Sequence, residues 1–309
     1  MQPIVLKNVS KNYGAVQAVK NISFEINEGE IFGLIGPDGA GKTTIMRMIV
    51  SLLVQDAGEI SFLGKDVSKS NSYVRSNIGY MPQKFSLYQD LSVQENLHFF
   101  GDLFNVPKDL QKERLKRLYN FSKLEPFKKR FAGALSGGMK QKLALSCMLM
   151  HEPRVMILDE PTFGVDPVSR IEFWEILGEL RKEGITLMVS TPYMDEAERC
   201  DRIGLINNGQ ILSLDKPQQI IENYSFPLYR IKTETPHILY TQLIKVLDEQ
   251  NVQLYADGVY MIDRDQIGSE ELIKKIAGYT QNNHSPEHVK PGLENVFLDL
   301  MQQQKVDYE

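Results

Sequence analysis

The chain has 309 residues, with 35 Lys plus Arg against 40 Asp plus Glu, a net charge of −5, and a composition that is 42% hydrophobic and 24% charged. At roughly 150 residues per domain this is room for two domains, or one with a substantial appendix, and for a full buried core. A net acidic chain disfavours a general nucleic-acid binder, which needs a surplus of Lys and Arg on some face, and aliphatic runs such as Val155-Met156-Ile157-Leu158 fall far short of the roughly 20 residues of a membrane-spanning helix. The N-terminus lacks a basic region followed by an apolar run. Cys147 and Cys200 stand in apolar or helical surroundings without CxxC spacing, so neither a disulfide nor a zinc site is expected, and a reducing cytoplasm fits.

In chain order, Ile4-Val5-Leu6 and Ile22 to Ile26 alternate apolar and polar residues and read as strands, with a turn at Asn27-Glu28-Gly29-Glu30. The apolar run Ile31 to Ile35 is a buried strand; it ends in a glycine-rich loop, and a helical pattern follows from Thr43 to Leu53. From Ser92 to Leu124 the chain turns helical, with Leu97, Phe100, Leu103 and Phe104 on one face and Lys112, Arg114, Lys116 and Arg117 on the other. Val155 to Leu158 and Thr186 to Val189 are brief buried strands separated by a helix over Ser169 to Lys182. Strands and helices in this alternation predict a mostly parallel sheet covered on both faces. The pattern breaks over Glu222 to Pro227. Beyond it come a strand (Leu228 to Lys232), a helix (His237 to Leu247), a hairpin around Ala256-Asp257-Gly258 and a helix (Glu270 to Ile276), a small α+β module of about 80 residues. The expected domains are therefore 1–225 and 226–309.

Three elements carry chemistry. Gly36-Pro37-Asp38-Gly39-Ala40-Gly41-Lys42-Thr43 matches G-x-x-x-x-G-K-[ST] in the required context, after a strand and opening a helix. Its glycines let backbone N–H groups turn inward around phosphate oxygens, and the helix N-terminus adds its positive end. Lys42 would reach the β- and γ-phosphates and the Thr43 hydroxyl would ligate Mg²⁺. The strand Val155 to Leu158 then delivers Asp159 and Glu160 at its C-terminal end, where ligands sit in open α/β sheets. There Asp159 would hold Mg²⁺ and Glu160 would polarise the attacking water, although a strand ending in Asp-Glu is by itself more often a capped turn. The third element is Leu135-Ser136-Gly137-Gly138-Met139, which opens an apolar helix. Alone it reads as an N-capped helix; beside a phosphate loop it reads as a second anion site.

In this order the three elements resemble the ATP-binding subunit of an ABC (ATP-binding cassette) transporter, over essentially all of residues 4–220. The resemblance assigns Walker A to Gly36–Thr44, a Q-loop to Gln83, the signature to Leu135–Met139, Walker B to the strand ending at Asp159 with Glu160, and a D-loop to Gly164-Val165-Asp166. The Met194 to Glu198 run and the closing Gly292 to Leu298 segment are similar to the ABC-2-type exporter branch, which handles drugs, polysaccharides and sodium. The fold implied is α/β: a P-loop cassette with a mostly parallel core sheet, an antiparallel β part, a helical subdomain over about 84–150, and the appended α+β module.

The cofactors implied are ATP and Mg²⁺. Pro37, Asp38, Gly39, Ala40, Gly41 and Thr44 would line the phosphates with Gly36 and Lys42, and Tyr13 would stack on adenine. Gln83 would join Thr43 and Asp159 around Mg²⁺ and signal nucleotide state, with Glu160 as catalytic base. Ser136, Gly137, Gly138 and Asp166 would meet the nucleotide of a second cassette in a head-to-tail homodimer or heterodimer. An integral membrane permease would dock on Phe85 to Val93, which places the chain on the inner face of the cell membrane.

Two residues depart from the family pattern. Asp38 replaces the usual asparagine and brings a carboxylate near phosphates. Pro192, in Ser190-Thr191-Pro192-Tyr193, falls where the family carries a switch histidine that contacts the γ-phosphate, and proline offers no donor. Thr191 or Tyr193 could lend a hydroxyl instead. Phe163 is also bulkier than the family's usual serine. The readings that compete with an exporter ATPase are a weakly hydrolysing regulatory cassette in a heterodimer and a soluble cassette acting on ribosomes or DNA. The latter types carry paired cassettes or a long coiled coil, and this chain has one cassette and no heptads.

Overall fold

The computed structural model describes residues 2–84, 87–276 and 286–306. The chain divides into two compact units, Met1–Leu214 and Asp215–Glu309.

The first unit contains, in order, β1 (Ile4–Tyr13), β2 (Val16–Ile26), β3 (Ile31–Ile35), α1 (Lys42–Ile49), β4 (Ala57–Phe62), β5 (Lys65–Asp66), α2 (Asn71–Asn77), β6 (Ile78–Met81), α3 (Val93–Leu103), α4 (Lys108–Ser122), α5 (Gly137–Leu149), β7 (Val155–Asp159), α6 (Pro167–Lys182), β8 (Thr186–Thr191), α7 (Met194–Ala197), β9 (Arg202–Asn207) and β10 (Gln210–Asp215). Two sheets form. The antiparallel one runs β2-β1-β4-β5, and the larger one runs β10-β9-β3-β8-β7-β6. Within the larger sheet β6, β7, β8, β3 and β9 pair in parallel, and β3, β7 and β8 are buried along their whole length. That is why their sequences are continuously apolar rather than alternating. Parallel register puts Asp159 of β7 beside Ser190 of β8, and Ile35 of β3 beside Thr191, so three strand ends deliver their last residues to one edge of the sheet.

In the first unit, helix boundaries depart markedly from the periodicity in two places. The helix expected over 43–53 stops at Ile49 because Ser51 turns left-handed (φ 57°) and the N–H groups of Leu52 and Leu53 both fold back onto the Arg47 carbonyl. The helix expected over 92–124 is two: Asn105 is left-handed, and Pro107 excludes helical geometry from the residue before it. Ser92 and Glu95 form a reciprocal capping box that starts α3, worth about 1 kcal/mol.

The second unit contains α8 (Pro217–Glu222), β11 (Leu228–Lys232), α9 (Pro236–Leu243), β12 (Val252–Tyr255), β13 (Gly258–Ile262), α10 (Ser269–Ile276), β14 (Glu287–Val289) and α11 (Leu293–Val306). From β11 to β14 this is a β-α-β-β-α-β order, and its antiparallel sheet runs β12-β13-β11-β14, the split arrangement of ferredoxin-like modules. Leu239 and Leu243 of α9 and Leu272 and Ile276 of α10 pack on Tyr229, Ile231, Val252, Val259 and Met261. Gln253 and Tyr255 alternate to the other face, where Asn295 of α11 bonds to both. Tyr255 pairs with Gly258, so the hairpin turn is Ala256-Asp257, one residue ahead of the Asp-Gly pair. The division at Leu214/Asp215 precedes the 225/226 boundary expected from the sequence, because α8 packs against α11 and so belongs with the second unit.

Candidate functional site

The phosphate-type loop leaves β3 with little freedom. A Cβ on Gly36 would lie 2.2 Å from the Ile206 carbonyl oxygen, and one on Gly41 (φ 106°) would lie 2.5 Å from that of Ala18, so only glycine fits either position. The Gly209 N–H holds the loop by donating to the Ala40 carbonyl (3.0 Å), and the Gly36 N–H reaches Thr191 O at 3.4 Å. Gly41 caps α1 with no side chain bonded to the helix start and no acid in the first turn, which leaves the orphan N–H groups and the positive helix end available to an anion. Ala40 is buried; Pro37, Thr43 and Thr44 are half-buried; Asp38 and Gly39 are exposed at the tip.

Lys42 is almost wholly buried, and its Nζ donates to the carbonyls of Gly36 (2.8 Å) and Pro37 (3.0 Å) while standing 3.1 Å from Oε1 of Glu160. Glu160 is buried too, and its other oxygen accepts from Gln83 Nε2 at 2.7 Å. A buried carboxylate needs such partners, since an unpaired one is strongly destabilising. Glu160 also carries a left-handed backbone (φ 47°), with its N–H directed at Ser190, a strained geometry of roughly 1–3 kcal/mol of the kind that clusters at working sites. Ser190 Oγ donates to Asp159 Oδ1 at 2.7 Å. Asp159 is 1% exposed, and its Oδ2 has no hydrogen-bond partner among the described residues. So Lys42, Gln83, Asp159 and Glu160 meet at the carboxyl edge of the parallel sheet, with Ser190 as the link that local sequence does not reveal.

The remaining candidates form other groups. Ser136 caps α5, accepting from the Met139 N–H at 3.3 Å, and Asp166 caps α6, accepting from the Ser169 N–H at 2.9 Å. That backbone bond holds the Asp166 carboxyl below its ordinary range. Gly138 lies against Ser169, so closely that a Cβ would clash at 2.4 Å, while Ser136 and Gly137 stay exposed. No described hydrogen bond or ion pair joins this pair of helix starts to the Lys42 group. Tyr13 is 48% exposed at the end of β1.

The switch segment holds the main surprise. Pro192 follows β8, and the Thr191 hydroxyl is spoken for: it donates to Glu196 (2.6 Å) and accepts from the Tyr193 N–H (3.1 Å). The Tyr193 ring lies under Arg170, 4.5 Å from its guanidinium carbon. Phe85 lies outside the described residues. After it, Leu87 is half-buried and Tyr88 exposed, and buried Asn96 bonds to the backbone of Tyr88, Leu91 and Ser92. A cleft of about 400 Å³ opens beside this segment, lined by Gln83, Leu87, Gln89, Gly137, Gln141 and Ala144. Cys147 and Cys200 are buried free thiols.

Comparison with known proteins gives consistent results. The family model for ABC transporters matches residues 19–163. The Nod factor export ATP-binding protein I of Burkholderia orbicola is 35% identical over 300 residues, covering 96% of both chains. The probable multidrug ABC transporter ATP-binding protein YbhF of Escherichia coli is 37% identical over 302 residues; the match takes in 96% of this chain, which spans only 52% of that relative's length. Among solved structures, the dimeric cassette MJ0796 in its post-hydrolysis state bound to ADP and Pi superposes with a TM-score of 0.63 at 26% identity, covering 69% of this chain and 98% of that one. With its loop, paired acids and capped helix starts arranged on this sheet, and with full-length relatives of this likeness, the chain belongs to the ABC transporter family, among its ATP-binding proteins.

Proposed function

We propose that the chain is the ATP-hydrolysing subunit of an ABC-2-type exporter, peripheral on the inner face of the membrane and driving a separate permease. The observation that carries this reading is the convergence of Lys42 and Gln83 on the buried Glu160, beside an Asp159 oxygen that has no hydrogen-bond partner among the described residues. In it, the loop backbone and Lys42 bind the β- and γ-phosphates, Glu160 accepts a proton from the attacking water, and Tyr13 stacks on adenine. The donors available for a metal are oxygens: the Asp159 carboxylate, the Thr43 hydroxyl and the Gln83 amide oxygen, whose nitrogen is engaged with Glu160. That set and the orphaned Oδ2 fit Mg²⁺, which would supply charge neutralisation at the phosphates.

Ser136, Gly137, Gly138 and Asp166 have no partner in the Lys42 group of their own chain, which supports a head-to-tail pairing in which each cassette completes the other's site. MJ0796, described above as dimeric, supports pairing of two cassettes, without specifying how they face each other. Among the described residues no helix is long and apolar enough to cross a membrane; in this reading a permease forms the transport path, and the cleft beside Leu87 and Gln89 suits its cytoplasmic segment. The test is co-purification from membranes followed by ATPase assay of the assembly: an integral membrane partner that raises MgATP turnover supports the exporter, whereas recovery with ribosomes or DNA overturns it.

A second reading, a weakly hydrolysing cassette paired with a stronger one, is favoured by Pro192 and by the engaged Thr191 hydroxyl. Losing one transition-state donor costs about 10²–10³ in rate, while ground-state binding keeps the loop and Lys42. Pro192→His is therefore expected to raise steady-state turnover of the isolated chain by up to about 100-fold with little change in MgATP affinity. Brisk wild-type turnover that the substitution leaves untouched would remove the degenerate-site idea. The second unit carries no nucleotide motif and has its own core, so a chain ending at Lys216 is expected to bind MgATP within a few-fold of the full chain, as calorimetry would show. Folded protein without affinity would mean that the units depend on each other.

A further inference from the structure

The carboxylate of Glu196 is 1% exposed, on a short helix beyond the switch position; it accepts hydrogen bonds from two segments and stands in an ion pair with a third. Its Oε1 accepts from the Thr162 hydroxyl at 2.7 Å and lies 3.6 Å from Arg170 Nε, and its Oε2 accepts from the Thr191 hydroxyl at 2.6 Å. Thr162 stands two residues after Glu160, and Phe163 returns its N–H to the Glu160 carbonyl (3.2 Å). Thr191 immediately precedes Pro192 and abuts the phosphate loop through Gly36. Arg170 lies on α6, one turn after the capping Asp166 whose carbonyl accepts the Arg170 N–H (2.9 Å). One buried anion thus ties together the turn that carries the base, the switch segment and the helix that carries the D-loop aspartate.

We propose that Glu196 is a positioning residue for hydrolysis: it holds Glu160 and the Pro192 segment in fixed relation, and passes the position of Asp166 on α6 to both. The inference rests on the ATPase reading above. Two hydroxyl donors and a guanidinium compensate the burial of the charge, and the hydroxyls gain a defined orientation from it. Local sequence does not reveal the cluster, since Thr162 and Glu196 are 34 positions apart. In a chain whose switch position offers no histidine, the placement of the remaining groups rests on this cluster. ATP binding draws on the loop backbone and Lys42, neither of which bonds to Glu196, so the rate of the chemical step is what should suffer. A misplacement of about 1 Å at a reacting group costs about 100-fold in rate.

The experiment compares full-length wild type with Glu196→Gln and Glu196→Ala in single-turnover ATP hydrolysis, with the Kd of a non-hydrolysable ATP analogue measured in parallel. Thr162→Val and Thr191→Val, which each remove one hydroxyl from the cluster, carry the test if Glu196→Ala fails to fold. The expected result is a rate lowered about 10–100-fold with Kd within about threefold of wild type. The double variant Glu196→Gln with Thr162→Val should fall well short of the product of the single effects, because both disrupt one cluster. Rates within twofold of wild type, fully multiplicative effects, or a Kd weakened as much as the rate would each overturn the proposal. A wild-type chain that binds the analogue but shows normal rates in these variants refutes the positioning role alone; one that binds no analogue refutes the ATPase reading on which it rests.

Discussion

Lys42→Ala is expected to weaken MgATP binding by at least about 100-fold, to below detection by calorimetry at ordinary protein concentrations. Lys42 is the one full positive charge in the phosphate loop, and its ammonium is held in place by the Gly36 and Pro37 carbonyls. In the proposed reading this held charge meets the β- and γ-phosphates and loses little freedom on binding, and each charge-assisted bond it makes is about twice as strong as a neutral one. The substitution also removes the 3.1 Å partner of Glu160, which is itself 5% exposed. Breaking a buried pair by removing one side costs about 3–5 kcal/mol, so a lower unfolding temperature should accompany the loss of affinity. The two effects separate under circular dichroism at a temperature where the variant is folded: native ellipticity without nucleotide affinity is the expected outcome. Unchanged affinity in a folded variant would take away the core of the functional reading.

What the sequence made legible was contiguous. The loop from Gly36 to Thr44 declares itself because a strand, a glycine-rich loop and a helix follow one another without interruption, and Asp159-Glu160 because a wholly apolar strand must end at the sheet's carboxyl edge. Ser190, Thr162 and Glu196 were invisible for the opposite reason. Each acquires its role only through parallel register or a contact 30 or more positions away, and a Ser at a strand end or a Glu in Met-Asp-Glu-Ala-Glu carries no periodic signal of it. By resemblance the Met194 to Glu198 run marks a family branch; in the fold, its second acid is a buried anion shared by three segments. By sequence Thr191 offers a hydroxyl beside the switch position, and its bond to Glu196 removes that option. The compact units divide at Leu214/Asp215 rather than near Pro227, a loud local break, because the packing of α8 on α11 joins segments some 75 positions apart, beyond the reach of local patterning.

Glu160→Gln is expected to abolish net hydrolysis while leaving ATP bound, with turnover lowered by about 10²–10⁴. Glutamine keeps the shape of the side chain, so its amide oxygen can still accept from Gln83, and the left-handed backbone at this position is as tolerable to glutamine as to glutamate. In the proposed reading, what is lost is the group that takes the proton from the attacking water. The loss also changes the electrostatics of the ground state: in the wild type Lys42 is shared between the loop carbonyls and Glu160, and in the variant that competing anion is gone. Attraction between Lys42 and the phosphates therefore strengthens rather than weakens. If nucleotide is sandwiched between the Gly36–Thr44 loop of one copy and Ser136 of another, bound ATP stabilises the dimer by mass action, and a site that cannot hydrolyse keeps it closed. Size-exclusion chromatography should then show the variant moving from monomer to dimer as MgATP is added, with the wild type shifting less or reverting as ATP is consumed. Adding Lys42→Ala to the variant should return it to monomer. A variant that stays monomeric at saturating MgATP, alone and with a second cassette supplied, would mean that Ser136 and Asp166 do not meet a neighbour's nucleotide, and their exposed helix starts would need another partner.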